Sequence, residues 1–463
     1  MQLLKMDDGN PLKDRLKTYW KTVVSIEKTD VISQCPASAL RLLRSFPASV
    51  IDIAHSKIHT FQFDQVPACW LRLYTDANIC KAIRIAQEAL TPPKPEYSYG
   101  SDWSYTSSET GEETDTNKSL QWLQDVVRLL DMARIVAGAP GRQEMIDQML
   151  EDIETYYQEN IPEQPSKRRI EQPSKRRKIE ARPFPKAGVD IPIIQFQMSK
   201  VRRPSVRNFE KRLPLAQPFV MTESLNHWPA FHERAWDNPD YLLKITFGGR
   251  RLVPIELGRS YTDTGWGQSI VPFAQFLDKY VLKATNAASG EDRQDIAYLA
   301  QHDLFAQIPS LRRDISIPDY CYTDPPPPEQ GTPLASKPPM TKVDEPLLNA
   351  WLGPAGTVSP LHTDPYHNIL CQVVGRKYVR LYSPFETPKM YPRPAKDGTL
   401  DMSNTSLVNA EGDGNELDEY PLFRNASYVE TILEPGEALY IPIGWWHYVR
   451  ALDVSFSVSF WWN

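Results

Sequence analysis

Between residue 11 and about residue 160, apolar side chains return every three or four positions. Ala37 to Ser45, Ala77 to Ala89 and Ser119 to Ile135 each keep this spacing, which predicts amphipathic helices. A further helix is expected from Arg142 to about Glu159. Thr91-Pro-Pro-Lys-Pro95 ends the second of them, because proline lacks the amide that a helix needs. Glu96 to Asn117 is rich in Ser, Thr, Gly, Glu and Asp, has no period, and reads as an acidic loop.

Beyond about residue 190 the pattern changes to short apolar runs with glycine and proline between them. Ile369 to Val374 and Tyr378 to Tyr382, around Gly375-Arg-Lys377, predict a hairpin. Val429 to Leu433 and Ala438 to Ile441, around Glu434-Pro-Gly-Glu437, predict another. Ser455 to Phe460 alternates strictly, as a half-buried strand does. The chain therefore reads as a helical domain over 1–160, a linker over 161–190 and a mainly β domain over 191–463. Two polar stretches interrupt the β domain. Asp324-Pro-Pro-Pro-Pro-Glu to Pro338-Pro339 reads as a surface insertion, and Lys396 to Asn425 as a long loop away from the chemistry.

The linker holds Glu163-Gln-Pro-Ser-Lys-Arg-Arg169, repeated at once as Glu171 to Arg177 and followed by Lys178. Such a polar basic repeat fits an import signal over 163–178 read by a nuclear import receptor, or a plain solvated linker. It has no interleaved aromatics to stack on bases, which argues against direct nucleic-acid binding. The expected location is the nucleus, with the cytoplasm beside it. Across 463 residues the net charge is −6, so there is no global pull toward polyanions. The five cysteines are widely spaced with no CxxC, so neither a disulfide framework nor a zinc site is expected, and a reducing compartment is. MQLLKMDDGN has no signal-type apolar core, and no apolar run approaches the roughly 20 residues that span a bilayer.

The candidate chemistry lies in His362-Thr363-Asp364 and the distant His447. Positions i and i+2 of an extended strand share a face, so His362 and Asp364 would point the same way. Two imidazoles and a carboxylate suit Fe(II) and leave coordination positions open for oxygen and an organic co-substrate. H-x-D alone is common, and a single core histidine is ordinarily structural. Short strands around both segments add weight to the metal reading and suggest a double-stranded β-helix of the jelly-roll or cupin type. His367 lies three positions after Asp364 and reads as a neighbour of the site or a surface residue; His302 reads as packing.

SPLHTDPYHNILCQVVGRKYVRLYSP, ISIPDYC, YLAQHDLF, ELGRSYTD and WWHYVRALDVSFSVSFWW resemble the Jumonji-C oxygenases, over roughly Pro204 to Asn463. The resemblance implies Fe(II) on His362, Asp364 and His447, with 2-oxoglutarate and O2 as co-substrates. It implies Tyr298, Ser359, Asn368 and Lys377 around 2-oxoglutarate, with Trp461 lining the same pocket. A diacid inside a barrel needs a buried cation, and Lys377 is the candidate. The resemblance further places Glu256, Tyr261 and Trp351 around the substrate side chain; a carboxylate and aromatic faces suit a guanidinium. Glu256 alone reads equally well as the end of a surface strand.

The expected activity is hydroxylation of protein arginine, with histone methyl-lysine demethylation on the same site as the alternative. The resemblance implies a protein or peptide substrate of histone, ribosomal or other chromatin-associated kind. A cupin isomerase would ordinarily add a third histidine and lack a Lys377-type anchor. An inactive nuclear adaptor would ordinarily have lost a metal ligand or that lysine.

Overall fold

The computed structural model describes residues 10–62, 65–91, 112–160, 184, 190–262, 265–283, 296–394, 401–412 and 418–463, with backbone alone for 112–120. It divides into one unit of Met1–Arg177 with Arg250–Leu252, and another of Lys178–Gly249 with Val253–Asn463. The expected linker, apart from residues 184 and 190, lies outside the described residues, as does 96–111 of the expected acidic loop.

The first unit is helical: α1 Pro11–Val24, α2 Ala37–Leu43, α3 Pro47–Ile58, α4 Ala68–Ala89, α5 Glu112–Ala137 and α6 Gln143–Asn160. The period thus placed the helices well, but α4 begins nine residues before Ala77, and α5 takes in 112–117 of the stretch read as loop. α4 is the central helix: Leu73, Ala77, Cys80, Ile83 and Ala86 are buried, and so are Arg72 and Asp76. A helix buried nearly all round has weak periodicity, which is why its first turns were not legible. Arg72 and Arg142 both pair with Asp76, and Arg72 also with Asp30, so two cations meet two carboxylates. No helix among the described residues is long and apolar enough to cross a membrane.

The second unit holds thirteen strands among its described residues. They are β1 Lys200–Arg202, β2 Phe219–Thr222, β3 Leu252–Leu257, β4 Gly267–Pro272, β5 Ala297–His302, β6 Leu347–Gly353 and β7 Val358–His362. There follow β8 His367–Val374, β9 Lys377–Tyr382, β10 Tyr428–Leu433, β11 Ala438–Ile441, β12 Trp446–Ala451 and β13 Ser455–Trp462. Nine form one sheet, in the order β1-β2-β11-β8-β13-β6-β5-β3-β4; the other four form β10-β9-β12-β7.

This order corrects the two expected hairpins. β8 pairs with β11 and β13, while β9 pairs with β10 and β12. The Gly375 turn therefore carries the chain from one sheet to the other, and so does the turn between β10 and β11. Alternation of successive strands between facing sheets is the jelly-roll winding. Gly375 makes the crossing possible: its φ is +66°, and a Cβ there would lie 2.1 Å from the Val454 carbonyl oxygen.

The faces are also not those of an ordinary half-buried sheet. Ser455, Ser457 and Ser459 of β13 are no more than 1% exposed, as are Phe456, Val458 and Phe460. The aromatic face packs outward into a core with Trp228, Trp236 and Phe276; Trp236 stacks on Phe456 at 4.3 Å. The serine face meets Lys377, Trp351 and Gln372. On β9, Val379 and Leu381 join Leu370, Leu439, Ile441 and Val449 in a small apolar cluster shared by both sheets, while Tyr378 and Tyr382 pack in another on the opposite face. By strand alternation Lys377 shares the face of Val379 and Leu381. The space between the sheets thus has an apolar part and a polar part, and the polar part is where the ligands converge.

Candidate metal centre

β7 and β12 are neighbours, and His362 stands opposite His447. The ring centroids are 4.1 Å apart. Between Ser359↔Val449 and His362↔His447 the register slips, with three steps on β7 against two on β12. The extra residue is a β-bulge beside Pro360, which has no amide to give to the ladder. It lets Ser359 and His362 face the same interior despite their odd spacing.

β7 ends at His362, so Asp364 is not on the strand and parity is not what aims it. Loop contacts do this instead. Thr363 N donates to the Asn404 carbonyl at 2.9 Å, and Gly444 N to the Asp364 carbonyl at 3.2 Å. Asp364 Oδ1 then lies 3.7 Å from His362 Nε2, and Oδ2 lies 3.4 Å from His447 Nε2. One ligand atom from each residue lies within 4.8 Å of the other two, and no other trio of such groups among the described residues does so.

The hydrogen bonds also set the tautomers. His362 Nδ1 contacts the Pro360 carbonyl at 2.7 Å, and His447 Nδ1 the Trp445 carbonyl at 3.0 Å. A carbonyl only accepts, so each Nδ1 carries a proton and each Nε2 is turned toward the carboxylate. Burial, helped by the neighbouring His447, brings His362 down to about 4 and keeps it neutral. Burial works against the charged forms of Asp364 and His447 too, but their mutual attraction outweighs it. Asp364 therefore lies below the usual carboxylate range and His447 above the usual imidazole value.

A cavity of about 30 Å³ opens at this trio and is lined also by Tyr298, Trp351, Ser359, Asn368, Lys377 and Ser459. Lys377, 2% exposed, donates to Tyr298 Oη at 3.2 Å and Ser457 Oγ at 2.6 Å. Burial alone lowers it to about 7, and no carboxylate pairs with it among the described residues.

Residues 205–463 match the family described as "Cupin-like domain". The chain is 33% identical to lysine-specific demethylase 8 of Danio rerio over 93% of this chain and 89% of the relative. It is 43% identical to lysine-specific demethylase 8 of Xenopus tropicalis, over 59% of this chain and 55% of the relative. It is also 43% identical to Jumonji C domain-containing protein 5 of Drosophila melanogaster, over 56% and 58%. The chain belongs to the Jumonji-C family. Its match spans little more than half the length of the frog and fly relatives.

Jumonji-C proteins are cupin-like dioxygenases that generally use Fe(II) and 2-oxoglutarate. The residues here fit both. The trio matches the donor set of a facial triad, two imidazoles and a carboxylate. A buried ammonium without a counter-charge among the described residues suits the far carboxylate of a diacid. At about 30 Å³ the space between them is of water size, so a five-carbon diacid enters only as the lining side chains part.

The structure thus brings Tyr298, Ser359, Asn368, Lys377 and Trp351 to one cavity with His362, Asp364 and His447. Trp461 is not among the lining residues; its ring stacks on Tyr366 at 5.8 Å, and its buried Nε1 has no hydrogen-bond partner among the described residues. Glu256 stands opposite Tyr298 across β3 and β5 and has no cation partner among the described residues. Burial raises its carboxyl pKa, opposed by a hydrogen bond from Trp266. Tyr261 is pushed up to about 12, chiefly by burial, and feels both Asp364 and Glu256; its hydroxyl lies 3.3 Å from Thr405 Oγ1.

Several participants escaped the sequence reading. Trp266 sits ten residues past Glu256 with no periodic signal to mark it. The loop over 396–425, read as remote, comes to the metal trio: Thr405 bridges His362, and Ser406 N donates to the Leu361 carbonyl at 2.8 Å. His367 is a buried tie, 1% exposed, bonded to Tyr440 and to the Pro326 carbonyl. His302 contacts Gln307 at 2.7 Å, in keeping with packing.

Proposed function

We propose that the chain is an Fe(II)- and 2-oxoglutarate-dependent oxygenase that acts on a cationic side chain of a protein, releasing succinate and CO2. His362, Asp364 and His447 would hold the iron; Lys377, Tyr298, Asn368 and Ser359 would hold the co-substrate. When bound, these groups supply the insertion of one oxygen atom of O2 into a C–H bond, the other atom going to succinate. The protein's own part is to orient the substrate and exclude water. One observation carries the choice of substrate: Glu256 is a carboxylate beside Tyr298 with no cation of its own among the described residues. An incoming cation relieves the cost of that unpaired charge.

Arginine is the preferred cation in this reading, because a carboxylate accepts paired N–H bonds from a planar guanidinium. Methyl-lysine is the second reading, supported by the names of the frog and fish relatives and by the ring of Trp266 added to Tyr261 and Trp351. Mass spectrometry of peptides decides between them. Gain of one oxygen on arginine, suppressed by Glu256→Gln, supports hydroxylation; loss of methyl from lysine with unmodified arginine supports demethylation. The basic repeat over 163–178 is proposed to bind an import receptor and bring the chain to the nucleus. A reporter carrying residues 160–185 should accumulate there, and its even spread through the cell would refute the signal.

A further inference from the structure

A second, larger space adjoins the metal trio, with a volume of about 810 Å³ and Thr363 and Asp364 in its wall. Asp364 also lines the small metal cavity, so the two spaces share that residue as a wall. Ten of the lining residues are prolines, seven of them from the stretch 325–339 that the sequence presents as a mere surface insertion. Leu334, Met340, Ile443 and Trp446 add apolar surface, and Met340 is 48% exposed.

The segment is anchored. His367 Nε2–H donates to the Pro326 carbonyl at 2.9 Å, while its Nδ1 faces Tyr440 Oη at 2.9 Å. At the other end Asn463 accepts from Val343 N at 3.0 Å and donates to the Thr341 carbonyl at 3.1 Å. His367 starts β8 and Asn463 follows β13, so both anchors come from the core sheet of the catalytic unit.

A wall of prolines has few amide donors, so it cannot take a substrate by strand addition. What it offers is rigid apolar area that loses little entropy on binding. We propose that this groove binds an apolar or prolyl side chain of the polypeptide substrate, within about three residues of the target, the reach of roughly 10 Å of extended chain. The proposal rests on the reading of the chain as a protein oxygenase, and it assigns the selecting surface to Pro325–Met340. The occupant follows from adjacency: Asp364 borders both spaces, so a chain whose target side chain reaches Asp364 would bring its neighbouring residues to this groove.

The test uses the full chain and two sets of short fluorescein-labelled peptides with the same central arginine. One set carries leucine or proline at the flanking positions, the other alanine. Anaerobic binding is read by anisotropy and aerobic oxidation by mass spectrometry. Burial of one such side chain should tighten binding about tenfold or more. Met340→Asp and Pro339→Asp, both at exposed positions, should bring the apolar peptides to the level of the alanine peptides, with melting curves confirming that each variant is folded. Equal binding of the two sets by the wild type, or a preference that survives both substitutions, overturns the groove assignment. Oxidation without flank preference would leave the oxygenase reading standing and refute this one. Preferential binding without oxidation of any residue would uphold the groove and refute arginine as the target.

Discussion

Lys377→Met separates what this lysine does to the fold from what it does for the co-substrate. The ammonium is held at about 7 by burial, against 10.5 for an ordinary lysine. The unfolded chain therefore binds the proton more tightly, and the difference costs stability wherever the folded amine must also be charged. The cost is complete below about pH 7, on the order of a few kcal/mol, and fades as pH rises toward 10.5. Methionine removes the charge and keeps most of the volume. It leaves the hydroxyls of Tyr298 and Ser457 without their donor, which returns about 1–3 kcal/mol. The unliganded variant should thus melt higher than the wild type at pH 6–7, and the gain should vanish near pH 10. For 2-oxoglutarate the sign reverses. Loss of a buried charge partner costs about 3–5 kcal/mol, a hundredfold to a few thousandfold in Kd. In the wild type, binding a carboxylate must first fill the amine's proton, so Kd should rise by up to tenfold per pH unit above about 7. Anaerobic calorimetry with Fe(II) across this pH range reads both effects. A variant Kd within threefold of the wild type, or a wild-type Kd flat with pH, would refute the assignment of Lys377 as the carboxylate partner.

His362→Ala should abolish succinate formation and weaken iron binding at least tenfold, measured by anaerobic Fe(II) titration, since two donors hold an open-sited metal poorly. Glu256→Gln should raise KM for a cationic peptide while leaving 2-oxoglutarate affinity unchanged; an unaltered KM would remove Glu256 from the substrate slot. Gly375→Ala should destabilise the catalytic unit by about 2–4 kcal/mol in chemical denaturation, because the added Cβ meets the Val454 carbonyl oxygen at a positive φ.

The residues and their order already said a good deal. Helical spacing located most of the first unit, because amphipathic helices display their buried stripe locally. His362-x-Asp364 with a distant His447 named the donor types, and the resemblance carried by ELGRSYTD, YLAQHDLF and the C-terminal motif named Glu256, Tyr261, Tyr298 and Trp461 as candidate neighbours. What sequence spacing could not supply was who faces whom. The runs around Gly375 look like a hairpin, yet they enter different sheets, since pairing partners are chosen by long-range packing rather than by the turn alone. Asp364 is aimed by Asn404 and Gly444, forty and eighty residues downstream, and Ser359 by a bulge at Pro360. Strict alternation in Ser455–Phe460 predicts two faces, but only the fold decides that the polar one points inward. It does so because the aromatic core lies outside this sheet, against Trp228 and Trp236, which leaves the serines to meet Lys377 between the sheets.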